Sequence, residues 1–158
     1  MTEDKKIKIH VKNNHWAPGS FPTDAEGEKN FTITKEHLEN ALEDLPEIKN
    51  KVEIFVDWDE DNFEEAMSNS DILLAWNFPT KNLKKISPNL KWIHIVSAGV
   101  EHLLPLDWMF DNLILTNSSG AHAKKAGEYG LMAVLMLQNH MTKIVANQKN
   151  KEFISLFS

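Results

Sequence analysis

The chain has 158 residues and a mass of 18.1 kDa, enough for one domain that buries its own core. Its 17 basic residues face 23 acidic ones, a net charge of −6 that argues against nucleic acid and anionic membranes as partners, and no apolar run reaches the ~20 residues of a membrane span. Every basic residue is Lys and Cys is absent, which excludes disulfides, thiol nucleophiles, Cys-ligated metal and any Arg clamp supplied by this sequence. The opening MTEDKKIKIH lacks the apolar stretch of a secretory signal, so a cytoplasmic location is expected. Charge is uneven: residues 1–70 carry a balance of −9 and residues 71–158 a balance of +3.

In chain order, IKIHV at 7–11 reads as a strand, and residues 13–30 as a turn-rich surface loop. Thr34 is placed to cap a helix over 35–45 with Leu38, Ala41, Leu42 and Leu45 on one face. VEIFV at 52–56 is a second strand, and Asp59 is placed to cap a helix over 60–68. ILLA at 72–75 is a third strand, followed by a short helix that Thr80 is placed to cap, with Leu83 and Ile86 inward. WIHIV at 92–96 and LIL at 113–115 complete five strands, with Trp92 expected in the core. Asn117-Ser118-Ser119-Gly120 is read as a capping turn for one long amphipathic helix over 121–148.

Strands alternating with helices predict right-handed βαβ units and a doubly wound α/β fold. Continuous apolar runs suit strands buried on both faces. Five such strands suit the flavodoxin-like order 2-1-3-4-5, with ligands outside the carboxyl ends of the strands. That directs attention to Asn13–Trp16, Trp76–Phe78 and Ser97–Val100. Ser97-Ala98-Gly99-Val100 is a small-residue turn whose free N–H groups suit a carboxylate; a tight turn chosen for backbone geometry alone is the competing reading. Trp16 and Trp76 are placed to wall a pocket there. The six glycines form no GxGxxG or GxxxxGK[ST] loop, so the sequence has no dinucleotide or P-loop cradle. No HExxH, HxxxH or GxSxG occurs, and no metal site is expected. His10 and His94 sit within strands, whereas His15, His102 and His122 lie in or beside loops.

DILLAW, NLKWIHIVSAGVEHL and LILTNSSGAHAKKAGEYGLMAVLML, in that order over residues 71–152, resemble the N-terminal catalytic (substrate-binding) part of the D-isomer-specific 2-hydroxyacid dehydrogenases. Glu101 stands where that family usually has Asp, and Gly127-Glu128 where it usually has Ala-Glu. Residues 1–70 share only the strand–helix pattern. The resemblance implies a flavodoxin-like substrate domain over 1–120, and a helix and connection over 121–158 leading toward an absent nucleotide domain. It implies an oxidoreductase that interconverts 2-oxo acids and D-2-hydroxy acids with NAD or NADP, neither bound by this chain alone. The substrate carboxylate would lie on the amides of Ala98, Gly99 and Val100, with Trp76, Asn77 and Phe78 beside it. The family's catalytic Arg, Glu and His belong to parts this sequence does not contain, so no catalytic residue is carried over.

The expectation is therefore a truncated oxidoreductase that is inactive as this fragment. Its partners would be a small 2-oxo or 2-hydroxy acid, the missing NAD(P)-binding domain, and a second copy met through the long helix. The alternative is a stand-alone flavodoxin-like binding or dimerisation module without catalysis. A receiver-type domain fits the topology, but its acidic pair after strand 1 and its acceptor Asp after strand 3 are missing.

Overall fold

Five strands form one all-parallel sheet: β1 (Ile7–Asn13), β2 (Val52–Trp58), β3 (Ile72–Ala75), β4 (Trp92–Ile95) and β5 (Ile114–Asn117), in the order β2-β1-β3-β4-β5. This is the doubly wound α/β order expected from the alternation of strand and helix signals. The computed structural model describes residues 5–17, 19 and 29–156, so much of the 13–30 loop lies outside the described residues. The helices are α1 (Lys35–Ala41), α2 (Pro46–Lys49), α3 (Phe63–Met67), α4 (Leu83–Ile86), α5 (Ala123–Gln138) and α6 (Met141–Asn150). Two short 3-10 turns, Glu101–Leu103 and Leu106–Trp108, lie between β4 and β5. The chain divides into two units, Met1–Ser118 with the whole sheet and Ser119–Ser158 with α5 and α6.

Register explains the core. His10 pairs with Phe55 and Leu73, Leu73 with Ile93, and Ala75 with Ile95, so these residues share one face. There Leu73, Ala75, Ile93 and Ile95 pack with Phe63 and Met67 of α3 and Leu83 of α4. Each large aliphatic or aromatic side chain buried this way contributes about 1.5–3 kcal/mol. The other face is covered unevenly. Val11 and Asn13 are buried, Ile72 and Leu74 are half-buried, and Trp92 and Ile114 are 38% and 59% exposed. Trp92 is thus not a core residue; its indole Nε1 donates to Thr116 Oγ1 at 2.8 Å. An apolar run shows that both faces of a strand tolerate burial, not that both are covered.

Helix ends also depart from expectation. Thr34 does cap α1: its Oγ1 accepts from the His37 amide at 3.1 Å, while the His37 ring accepts from the Thr34 amide. Asp59 caps nothing. It adopts a left-handed backbone (φ 54°), and α3 begins only at Phe63, after Asn62. Asn82, also left-handed, precedes α4 in place of Thr80. The stretch predicted as one helix over 121–148 is α5 and α6, interrupted at Asn139-His140. The Asn139 side chain donates to the Leu135 carbonyl at 2.8 Å, and His140 turns left-handed (φ 53°). Periodicity continues through such a break because it reports apolar spacing and not backbone sign. His122, without a side-chain cap, precedes α5, so the turn at 117–120 is not its cap.

Candidate functional site

The carboxyl ends of the strands carry the polar clusters of the first unit. After β4 the chain turns through Ser97–Val100. Val100 packs against the core and anchors the turn from below. The Ser97 hydroxyl donates to the Gly99 carbonyl at 2.6 Å, and Asn117 Nδ2 to the Ala98 carbonyl at 2.7 Å. Both carbonyls are thereby held, while the N–H groups of Ala98, Gly99 and Val100 have no acceptor among the described residues. Consecutive free amides of this kind form an anion-binding concavity. Asn117 thus acts on this turn.

Gly99 is outside the left-handed region, so backbone sign does not require glycine there. Proximity does not require it either: a Cβ at this position would meet only the carboxylate end of Glu101, an exposed side chain folded back over the turn that is free to swing away. An internal carboxylate therefore lies beside the free amides. Ala98 is exposed, and Gly99 and Val100 are partly buried.

The neighbouring loop is tied to this turn. His102 Nε2 donates to the Trp76 carbonyl at 2.8 Å. The Trp76 ring meets Trp16 edge-on at 5.7 Å and Phe31 at 5.5 Å, forming an aromatic wall over the ends of β1 and β3. Asn77 is exposed. The Phe78 ring is part of the core, edge-on to Trp108 at 5.3 Å, so its side chain supports the loop from beneath.

A second cluster was foreseen only in the loops Asn13–Trp16 and Trp76–Phe78 that border it, not in Lys12 and Asp59. β1 extends to Asn13, two residues beyond the predicted strand, and alternation carries Lys12 to the same face as His10. Lys12 is only 4% exposed. Its ammonium donates to Asn14 Oδ1 at 2.6 Å and Asn77 Oδ1 at 3.3 Å, and it enters none of the ion pairs among the described residues. Burial pulls its pKa down, outweighing the attraction of Glu60 and Asp59. Beside it His15 stacks on Trp58 at 4.5 Å and binds Asp59 twice, ring Nδ1 to Oδ2 at 2.5 Å and backbone N–H to Oδ1 at 2.9 Å. These bonds hold the Asp59 carboxyl below its ordinary pKa. The available signal was the alternation of IKIHVKN, which sets Lys8, His10 and Lys12 in one row.

Among the described residues no group of three or more His, Asp or Glu is arranged to hold a metal ion, and no helix is long and apolar enough to cross a membrane. His94 bonds to Thr116 at 2.9 Å and Ser118 at 3.2 Å on the sheet's other face, where partial burial lowers its pKa. The turn after β4 carries a single glycine, Gly99, with the Glu101 side chain folded beside it and no second glycine near it in the chain.

No protein-family profile matches this chain, and no curated protein does. A solved structure does: a D-isomer specific 2-hydroxyacid dehydrogenase family protein from Klebsiella pneumoniae 342, with a TM-score of 0.52 and 23% sequence identity. The match covers 100% of this chain and 42% of the other, so the chain spans less than half of that protein's length. At this identity the likeness establishes a shared fold.

Proposed function

We propose that the chain is the substrate-binding part of an oxidoreductase that interconverts 2-oxo acids and D-2-hydroxy acids with NAD(P)H. The observation that carries this reading is the turn after β4. Its two carbonyls are held and its three successive amides are free, which suits the carboxylate of such an acid. Ala98, Gly99 and Val100 would receive the carboxylate through backbone N–H groups. Trp76 and Asn77 would form the adjoining wall, with Phe78 supporting it from the core. The fold shared with a dehydrogenase-family protein supports the same assignment.

The chemistry available to these residues is binding and orientation. Backbone amides recognise a carboxylate without an ionised side chain, in keeping with a sequence that has no Arg. Hydride transfer also needs a nicotinamide and a proton donor in one closed cleft. The dinucleotide has no cradle among the described residues, so the 158 residues alone should bind oxo acid and turn nothing over.

The test is a titration of the isolated chain with glyoxylate, hydroxypyruvate and pyruvate, followed by the backbone amide resonances of residues 98–100, with an NADH oxidation assay alongside. Saturable shifts at these amides, weakened by Gly99→Val, with no NADH oxidation, are expected. Shifts elsewhere only, or turnover by the chain alone, would overturn the reading.

A second reading is a non-catalytic module that dimerises. Leu131, Val134, Leu135, Leu137 and Val145 of α5 and α6 are exposed. Dimerisation through these helices is compatible with either reading.

A further inference from the structure

Where β1, β2 and β3 end, Lys12 lines a cavity of about 390 Å³ whose wall also includes Asn14, Trp16, Glu60, Asp61 and Asn77. We propose that this cavity binds a small zwitterion of the α-amino-acid type, its carboxylate on the Lys12 ammonium and its own ammonium toward Glu60 and Asp61.

Three observations converge. A buried ammonium is costly, and the hydrogen-bond partners of Lys12 are two neutral amide oxygens, with Glu60 and Asp59 attracting it only from beyond ion-pair distance. Two of its three donors are used, leaving one N–H. Each amide that holds it also carries an Nδ2 donor, and neither Nδ2 has an acceptor among the described residues. One ammonium flanked by two amide donors is a receptor for a carboxylate.

The cavity's remaining charge sets the rest of the ligand. Asp59 is engaged by His15, but Glu60 and Asp61 are exposed carboxylates in the same wall. A simple anion would meet repulsion from them, and a simple cation would meet Lys12. A molecule with a negative end and a positive end a few bonds apart satisfies both. The cavity is large enough for a compact amino acid and too polar for an apolar ligand.

The amides of residues 98–100 lie outside this cavity, but Asn77 is shared with the wall proposed for the oxo acid, so Asn14, which belongs to this cavity alone, is the reporter that separates the two readings. The experiment uses the full chain and three probes of similar size: L-alanine, propionate and ethylamine. Side-chain amide resonances of Asn14 and Asn77 are followed in each titration. L-Alanine should shift both saturably, with propionate and ethylamine at least about tenfold weaker. Lys12→Met should weaken L-alanine by about thirtyfold or more. The Glu60→Gln, Asp61→Asn double variant changes only exposed side chains and keeps the proposal testable should Lys12→Met fail to fold. It should weaken L-alanine and strengthen propionate. Absence of a saturable shift with L-alanine overturns the proposal. So do propionate binding as tightly as L-alanine, and a double variant that changes neither affinity.

Discussion

At the scale of single residues, Glu101 and His10 carry the sharpest consequences. The Glu101 carboxylate lies against Gly99, beside the amides proposed to receive a substrate carboxylate. Two carboxylates cannot share that place, so the internal one competes with the ligand. Glu101→Gln keeps the shape and removes the charge, and should tighten oxo-acid binding by about three- to tenfold, as an exposed charge allows. Isothermal titration of both forms with glyoxylate checks this, and weaker binding by the variant would show that Glu101 assists the ligand. His10 is fully buried between Phe55 and Phe63, with ring Nδ1 3.3 Å from the Met67 sulfur and Nε2 unpartnered. Burial lowers its pKa from 6.5 to about 4. The native ring therefore stays neutral while the unfolded chain takes up a proton below pH 6.5. The associated stability is complete above pH 6.5 and is lost as pH falls toward 4, by about 3 kcal/mol over the whole window. Urea midpoints measured from pH 7.5 to 4.5 should fall, and the fall should be shallower in His10→Leu.

At the scale of elements, one buried side chain ties the end of β1 to the segment before α1. Asn13 is buried, and its amide makes a reciprocal pair with Ile33: Nδ2 to the carbonyl at 2.9 Å, and Oδ1 from the N–H at 2.9 Å. Asn13→Ala strips both backbone partners at once and should cost about 2–4 kcal/mol. Thr34→Ala, one residue further on, removes only the α1 cap and should cost about 1 kcal/mol. Denaturant titration of the two variants compares them directly, and equal losses would mean that the Asn13 pair contributes nothing beyond a cap. The Thr34 cap was legible because it is a local contact between residues three apart. The Asn13 pair was not, because it joins residues 20 positions apart across a turn-rich loop. Asp59 failed as a cap for a related reason: its carboxylate is taken by His15, 44 residues away in the chain.

For the whole molecule, exposed apolar surface is the outstanding feature of the second unit. Most apolar side chains of α5 and α6 are solvent-exposed, with Leu131, Leu135 and Ile144 on one groove between the two helices. If this surface joins two copies, sedimentation equilibrium at micromolar concentration should give a dimer, and Leu135→Asp should give a monomer with unchanged far-ultraviolet circular dichroism. A monomeric parent chain would remove the dimer from the proposed function.

The sequence alone determined the alternation of five strands with helices, and from it the parallel order β2-β1-β3-β4-β5. It also directed attention to the turn at 97–100, because apolar period, small-residue turns and capping residues act over a few positions. Only the tertiary structure decided that Trp92 is exposed, that the C-terminal helical stretch breaks at Asn139-His140, and that Glu101 lies over Gly99. It alone brought Lys12, Asn77 and Glu60 to one cavity. The helix break and the Glu101 contact are local but turn on backbone sign and side-chain direction, which apolar spacing does not report. The exposure of Trp92 and the Lys12 cavity depend on which strand lies beside which and on which face is covered. That is settled by packing between residues 17 to 65 positions apart in the chain, and a sequence window does not reach that far.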